Sequence, residues 1–273
     1  MSDDSVIHSD ILVHWTGRDI ECCASTEDWW QVDRSDEPRW SELQTKEKTF
    51  LVPRYLQRLK DILAHGLWMT YQDPPEFPGC TSAPKAACTC FTALKLSQSR
   101  THARHYGRLG IGVKRPFLFE RGGRHVVYYG NGADWPERDK FLKLCAEKLE
   151  HPAMHFLKPM NRVRFDYAYY SESEWRIVTS NPDQDGKIVS PHTDPPHGCL
   201  GSLSKSEQEK LRFLVPLDAW LAIIIYPTLM VKAKAQEDEE IRKLLQLIKA
   251  KGAIPIERAA PPVEIDLDLC RHL

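Results

Sequence analysis

The chain has 273 residues, of which 42% are hydrophobic and 27% charged, so it is long enough to bury a substantial core. Its formal net charge of −1 excludes a whole-molecule field that would draw it to nucleic acid or an anionic membrane. No stretch approaches the roughly 18 apolar residues of a membrane span, and the start MSDDSVIHSD lacks the features of a signal peptide. We therefore expect a cytoplasmic protein whose eight cysteines remain thiols.

The first part of the chain predicts a strand, an insertion and a helix. Apolar and β-branched residues at 11–15 are typical of a buried strand. The segment 20–49 is polar and acidic and contains three Trp, which indicates an insertion or a mobile loop rather than core. From Phe50, the sequence FLVPRYLQRLKDILAHGL predicts an amphipathic helix with Gly66 at its C-terminal cap.

The middle of the chain predicts short strands and helices. After a Pro-rich loop, AACTCFT predicts a strand and LKLSQSRTHARHYG a helix that ends at Gly107. LGIGVKRPFLFE and RHVVYYG flank two glycines and predict a β-hairpin. A helix is expected over 134–157 and strand over 165–180.

The last part predicts a loop at 181–201, an interior strand in WLAIIIYP, a helix over 237–251 and a strand in AIPIER. The helix has acids at its start and bases at its end, as the helix dipole favours. No repeat or linker divides the chain. We therefore predict a single α+β domain over residues 1–273.

Metal, thiol and phosphate chemistry find little support in the sequence. Two groups of possible zinc ligands lack the CxxC pair that lets two thiolates share one ion, so no metal is expected. The glycines of YGRLGIG do not open a helix after a strand, as a phosphate-binding loop would. The two groups are Cys80, Cys88 and Cys90, and His192, His197 and Cys199.

Three polar residues, His14, Tyr106 and Glu174, lie at the edges of predicted elements. Each alone is typical of an ordinary structural residue. Alternation through EWRIV puts Glu174 and Arg176 on one face of a strand and Trp175 on the other. The acid beside the arginine is then either a surface ion pair or part of a site.

The order of these pieces resembles two known groups. LVHWTG, DILAHGL, CTCFT, SQSRTHARHY and EWRIV resemble parts of the ADP-ribosyltransferase fold. The series HWTG, ILAHGL, CFT, HYGRLGIGVKRPFLFERGGRHVVYY and EWRIV is similar, over most of residues 11–258, to the bacterial abortive-infection AbiGi family. The first resemblance implies a split mixed or antiparallel sheet flanked by helices.

The transferase resemblance also implies roles for the three polar residues around NAD, which would be the substrate. His14 would hold a ribose hydroxyl, Tyr106 would stack on nicotinamide, and Glu174 would stabilise the oxocarbenium-like transition state. Tyr128 and Tyr129 compete with Tyr106 for the stacking role. Four further candidates are Thr16 and Thr92 as hydroxyl contacts and Arg176 or Lys158 against the pyrophosphate.

Two functions follow from the resemblances. One is an NAD-dependent ADP-ribosyltransferase of phage defence that modifies a nucleic-acid or protein target or cleaves nicotinamide. The other is a non-catalytic antitoxin that neutralises a nucleotidyltransferase-like toxin by direct binding, with Trp29, Trp30 and Trp40 as candidate contacts. A nucleic-acid binder has local support only from the basic run KPMNRVR.

Overall fold

The computed structural model describes residues 10–18, 20, 51–72, 86–93, 102–103, 106–130, 140–141, 143–145, 151–160, 173–179, 214–250 and 261–267. Apart from residue 20, the predicted insertion at 20–49 lies outside these ranges. So do the predicted loop at 181–201, the predicted strand in AIPIER and most of the predicted helix that ends at Gly107.

The described residues form an α+β structure in which most strand pairs are antiparallel, as the sequence predicts. The strands are β1 (Ile11–Thr16), β2 (Leu67–Trp68), β3 (Thr70–Gln72), β4 (Ala86–Thr92), β5 (Leu109–Lys114), β6 (Arg124–His125), β7 (Val127–Gly130), β8 (Leu157–Met160), β9 (Glu174–Thr179), β10 (Leu214–Val215), β11 (Leu221–Tyr226) and β12 (Val263–Asp266). The helices are α1 (Val52–His65), α2 (Arg115–Phe119), α3 (His151–Met154), α4 (Leu229–Glu237) and α5 (Glu239–Ala250).

The main sheet has the strand order β12-β11-β5-β1-β4-β9-β6, and β3 also pairs with β4. One face, which we call the helix face, carries Leu12, Phe91 and Ile111 and packs in one core with residues of α1, α4 and α5. The other, the far face, carries a second apolar cluster that includes Val13 and Trp15. Neighbouring residues of β1 therefore belong to opposite faces.

The glycines of LGIGVK serve packing on the far face. Leu109, Ile111 and Val113 lie in the core of the helix face, so Gly110 and Gly112 alternate to the far face. A Cβ atom at Gly112 would come within 2.1 Å of Ile223 Cγ2. Side chains of the neighbouring strands therefore pack over β5 on the far face, where its glycines have no side chains.

The predicted hairpin after β5 is wrong. Residues 115–119 form the short helix α2, and β6 pairs with β9 instead of β5. The physical reason is Pro116, whose fixed φ suits the first turn of a helix and whose missing N–H cannot contribute to a strand ladder.

Two helix boundaries and one strand also differ from the prediction. The helix expected over 237–251 is α5, which begins at Glu239 because Asp238 caps it by accepting hydrogen bonds from the backbone N of Glu240 (3.0 Å) and Ile241 (3.2 Å). The described end of the helix expected over 134–157 is Met154, after which β8 follows. β12, which pairs in parallel with β11, was not predicted.

None of the helices within the described ranges has the length and apolar character needed to cross a membrane.

Candidate functional site

The candidate site lies where the main sheet meets a small parallel sheet made of β7 and β8. The backbone N of Val126 donates to the carbonyl of Glu174 (2.9 Å), which keeps the chain on the main sheet. The next backbone N, that of Val127, donates to Phe156 O (2.8 Å), which begins the small sheet. Glu174 is thus the first residue of β9 and lies at the junction of the two sheets.

Glu174 is buried, with 6% of its surface exposed, and both its carboxylate oxygens are paired with cations. Oε1 accepts a hydrogen bond from Arg176 Nε at 2.7 Å, and Oε2 accepts one from Lys158 Nζ at 2.8 Å. Arg176 Nη1 donates to the carbonyl of His155. We call Glu174, Lys158 and Arg176 the Glu174 cluster; it is a compensated buried ion network.

The cations of the cluster keep Glu174 ionised. Burial alone would raise the pKa of Glu174, but the charges of Arg176 and Lys158 outweigh it and lower the pKa to about 2. Burial raises the pKa of the Cys88 and Cys90 thiols to about 12. Both thiols are therefore protonated at neutral pH, which disfavours a nucleophilic role.

His14 lies on the opposite face of the sheet from Glu174. Val13 is paired with Thr92, and Thr92 with Glu174, so these three side chains share the far face. The next residue, His14, points to the helix face, where its ring lies 5.8 Å from that of Phe91. Its Nδ1 donates to the carbonyl of Cys90 at 2.9 Å. The structure therefore places the side chains of His14 and Glu174 on opposite faces of the main sheet.

The environment of His14 gives a testable pH dependence. Burial lowers its pKa below the ordinary 6.5, the hydrogen bond to Cys90 opposes this, and the charge of Arg58 lowers it further. The unfolded chain therefore binds more protons than the folded one just below pH 6.5, and stability falls as the pH falls. We expect His14→Gln to weaken that dependence in urea unfolding between pH 7.5 and 5. The matched control is His65→Gln, which replaces an exposed histidine at the end of α1.

Tyr106 does not join either residue within the described part of the chain. It is 38% exposed and its ring lies 5.2 Å from that of His102. Tyr128, a competing candidate, lies beside Lys158, whose Nζ is 5.9 Å from the centre of the Tyr128 ring. Tyr129 belongs to a separate apolar cluster with Phe141.

The further candidates divide between the two faces. Thr16 accepts a hydrogen bond from Arg58 Nη1 at 3.0 Å, on the side of the sheet covered by α1. Thr92 is buried directly opposite Glu174. The structure therefore brings together Thr92, Lys158, Arg176 and Glu174, and separates them from His14 and Thr16.

Arg124 is a neighbour of the cluster that the sequence did not indicate. It lies on β6 directly opposite Arg176, is exposed, and makes no ion pair within the described residues. Its position depends on the pairing of β6 with β9, which the predicted hairpin excluded. No local sequence pattern indicates this position of Arg124, because it follows only from the strand order of the main sheet.

Among the described residues, no three side chains of His, Cys, Asp or Glu are placed to hold a metal ion. Cys80 and the group around His192 lie outside the described ranges.

Comparison of the chain with models of protein families, with curated proteins and with solved structures finds no match.

Proposed function

We propose that the chain is a phage-defence antitoxin that neutralises a nucleotidyltransferase-like toxin by direct binding. The defence role rests on the AbiGi resemblance of HWTG and EWRIV. The preference for binding over ADP-ribosyl transfer rests on one observation: the side chains of His14 and Glu174 leave opposite faces of the main sheet.

The separation of the two faces argues against the transferase chemistry that the resemblance implies. That chemistry needs a histidine and a glutamate on the same NAD molecule, held within hydrogen-bond distance of its reacting sugar. A ligand bound on the far face beside Glu174 is shielded from His14 by the sheet itself. The residue types are present, but they do not converge on one ligand.

The charge state of Glu174 also argues against transferase chemistry. A carboxylate stabilises an oxocarbenium-like sugar through its negative field in a site that excludes water. Here that field is already neutralised by Arg176 and Lys158, each within 2.8 Å of a carboxylate oxygen. The cluster instead fixes the junction of the two sheets and the surface beside it.

Copurification tests the proposed function. The tagged chain is co-expressed with the product of the gene adjacent to its own, and the growth of the cells is followed. We expect the two proteins to copurify and the toxicity of the partner to fall. Cells that express the partner alone are the control. Unchanged toxicity without copurification would contradict the proposal.

An NAD-dependent ADP-ribosyltransferase is the second candidate, favoured by the presence of an aromatic ring near the acid: Lys158 contacts both Glu174 and the ring of Tyr128. Its site would lie on the far face and would use Tyr128 in place of Tyr106 and His14. The test is nicotinamide release from NAD, with and without lysate of phage-infected cells. Release by the wild type that is lost in Glu174→Gln/Lys158→Met would establish the enzyme; we expect no release.

A further inference from the structure

A group of aromatic rings lies at the end of the main sheet, on its helix face. Trp175 of β9 and His125 of β6 are direct partners in the antiparallel register, and the centres of their rings lie 5.5 Å apart with an angle of 87° between the planes. The ring of Phe119, at the end of α2, lies 5.7 Å from that of Trp175 at 75°. We call Phe119, His125 and Trp175 the aromatic patch; it borders β6, the edge strand of this sheet.

The outer rings of the aromatic patch are open to solvent. Phe119 is 58% exposed, His125 is exposed, and Val127, two residues further along the chain, is 54% exposed. The preceding residues of α2, Phe117 and Leu118, are fully buried, so the helix gives its apolar side chains to the core except for the last. Single exposed apolar residues are ordinary, but a contiguous group of them is typical of an interaction surface.

The aromatic patch is held in shape before any partner binds. Phe119 and His125 each make an edge-to-face contact with Trp175, which itself packs against the core. The guanidinium carbon of Arg115 lies over the indole, 5.5 Å from its centre. Rings that are already fixed lose little conformational entropy on binding, and Trp and Arg are enriched among the residues that dominate interface energies.

The charge beside the aromatic patch favours an acidic partner. Arg124 precedes His125 on the edge strand, is exposed, and makes no ion pair within the described part of the chain. A partner that covers the edge of the sheet contacts both residues, because successive side chains leave opposite faces of one strand. An exposed arginine at the rim of an interface is complemented by a carboxylate of the partner.

We propose that the aromatic patch and Arg124 form the surface by which the chain binds its toxin, and that the toxin presents an apolar side chain beside a carboxylate. This inference rests on the proposed function, which it extends by naming the surface. The apolar side chain packs against Phe119 and His125, and the carboxylate pairs with Arg124. Because β6 has only two residues, side chains make the contact and not an added strand.

Calorimetric titration of the purified full chain with the purified product of the adjacent gene tests this surface. We expect Phe119→Ala to raise the Kd at least about thirtyfold, because it removes an exposed anchor while the core stays intact. The matched control is Leu247→Ala, which truncates a side chain of α5 with a similar exposure of 55% and should change the Kd less than about twofold.

Charge reversal tests the chemistry of the partner. Arg124→Glu should raise the Kd about tenfold or more, because it places a carboxylate against the partner's own. Arg242→Glu reverses an exposed arginine of α5 and should change the Kd less than about twofold, although the net charge of the chain changes equally. Equal effects of the two reversals would overturn the acidic partner.

The outcomes separate this surface from the proposed function. If the wild-type chain does not bind the product of the adjacent gene, both are overturned. If it binds, and Phe119→Ala weakens binding no more than Leu247→Ala does, the surface alone is overturned. Light scattering on the chain alone provides a further test. A dimer that Phe119→Ala converts to a monomer would mean that a second copy covers the aromatic patch, which also overturns the proposal.

Discussion

Glu174→Leu is expected to lower the free energy of unfolding by about 3–5 kcal/mol, because it leaves two partly buried cations without their counter-charge. Arg176 and Lys158 both donate to the carboxylate that the substitution removes. Urea unfolding followed by circular dichroism measures the loss. A change below about 1 kcal/mol would mean that solvent compensates the cations and that the cluster has no structural role.

The double variant Glu174→Gln/Lys158→Met tests whether the loss of stability comes from an unpaired charge or from altered packing. It removes one cation together with the carboxylate, and replacing both partners of a buried pair is often close to neutral. We expect it to recover most of the stability lost in Glu174→Leu. A double-mutant cycle with the two single variants gives the coupling energy of the pair. Additive losses would contradict the assigned contact.

The same carboxylate predicts how stability changes with acid. The pKa of Glu174 is about 2 in the folded chain and 4.5 ordinarily, so the unfolded chain binds more protons between these values. The stability contributed by Glu174 is present above about pH 4.5 and is lost as the pH falls towards 2. Glu174→Leu should therefore show a smaller drop in stability than the wild type over this window.

Gly107→Ala is the second substitution with a large expected effect. Gly107 has φ +102°, a conformation that L-residues rarely adopt. An added Cβ would lie 2.2 Å from the backbone N of Arg18 and 2.4 Å from Thr16 O. Because backbone atoms cannot move aside as a side chain can, we expect Gly107→Ala to lower the free energy of unfolding by about 4 kcal/mol or more.

The control for Gly107 is Gly122→Ala. Gly122 also has a positive φ, +67°, but a Cβ there would meet nothing within 4 Å. Only the backbone strain of the positive φ remains, so we expect Gly122→Ala to lower the free energy of unfolding by about 1 kcal/mol. Thermal or urea unfolding measures both losses. If the two variants lose the same free energy of unfolding, the close approach of Gly107 to the end of β1 does not add to the cost of the substitution.

The elements that the sequence predicted well carry their signal locally. β1, β4 and β11 are short apolar runs, and α1 combines an apolar face with Gly66 at its C-terminal cap. α4 has no clear apolar stripe in LMVKAKAQE and was not predicted. The hairpin failed because two glycines indicate a turn but do not determine which strand the next one pairs with.

The site shows the same division between local and long-range information. Alternation through EWRIV correctly placed Glu174 and Arg176 on one face and Trp175 on the other. The side on which His14 lies depends on the register of β1 against β4 and of β4 against β9. A shift of one residue in either register would reverse it, and no short segment encodes that register.

The most direct test of the proposed function is the growth of cells that co-express the product of the adjacent gene with either the wild type or Glu174→Gln/Lys158→Met. If the chain acts by contact, the folded double variant protects the cells as well as the wild type does. If the variant unfolds at the same urea concentration as the wild type and still copurifies with the partner, yet fails to protect, contact alone does not protect the cells and the binding proposal is contradicted.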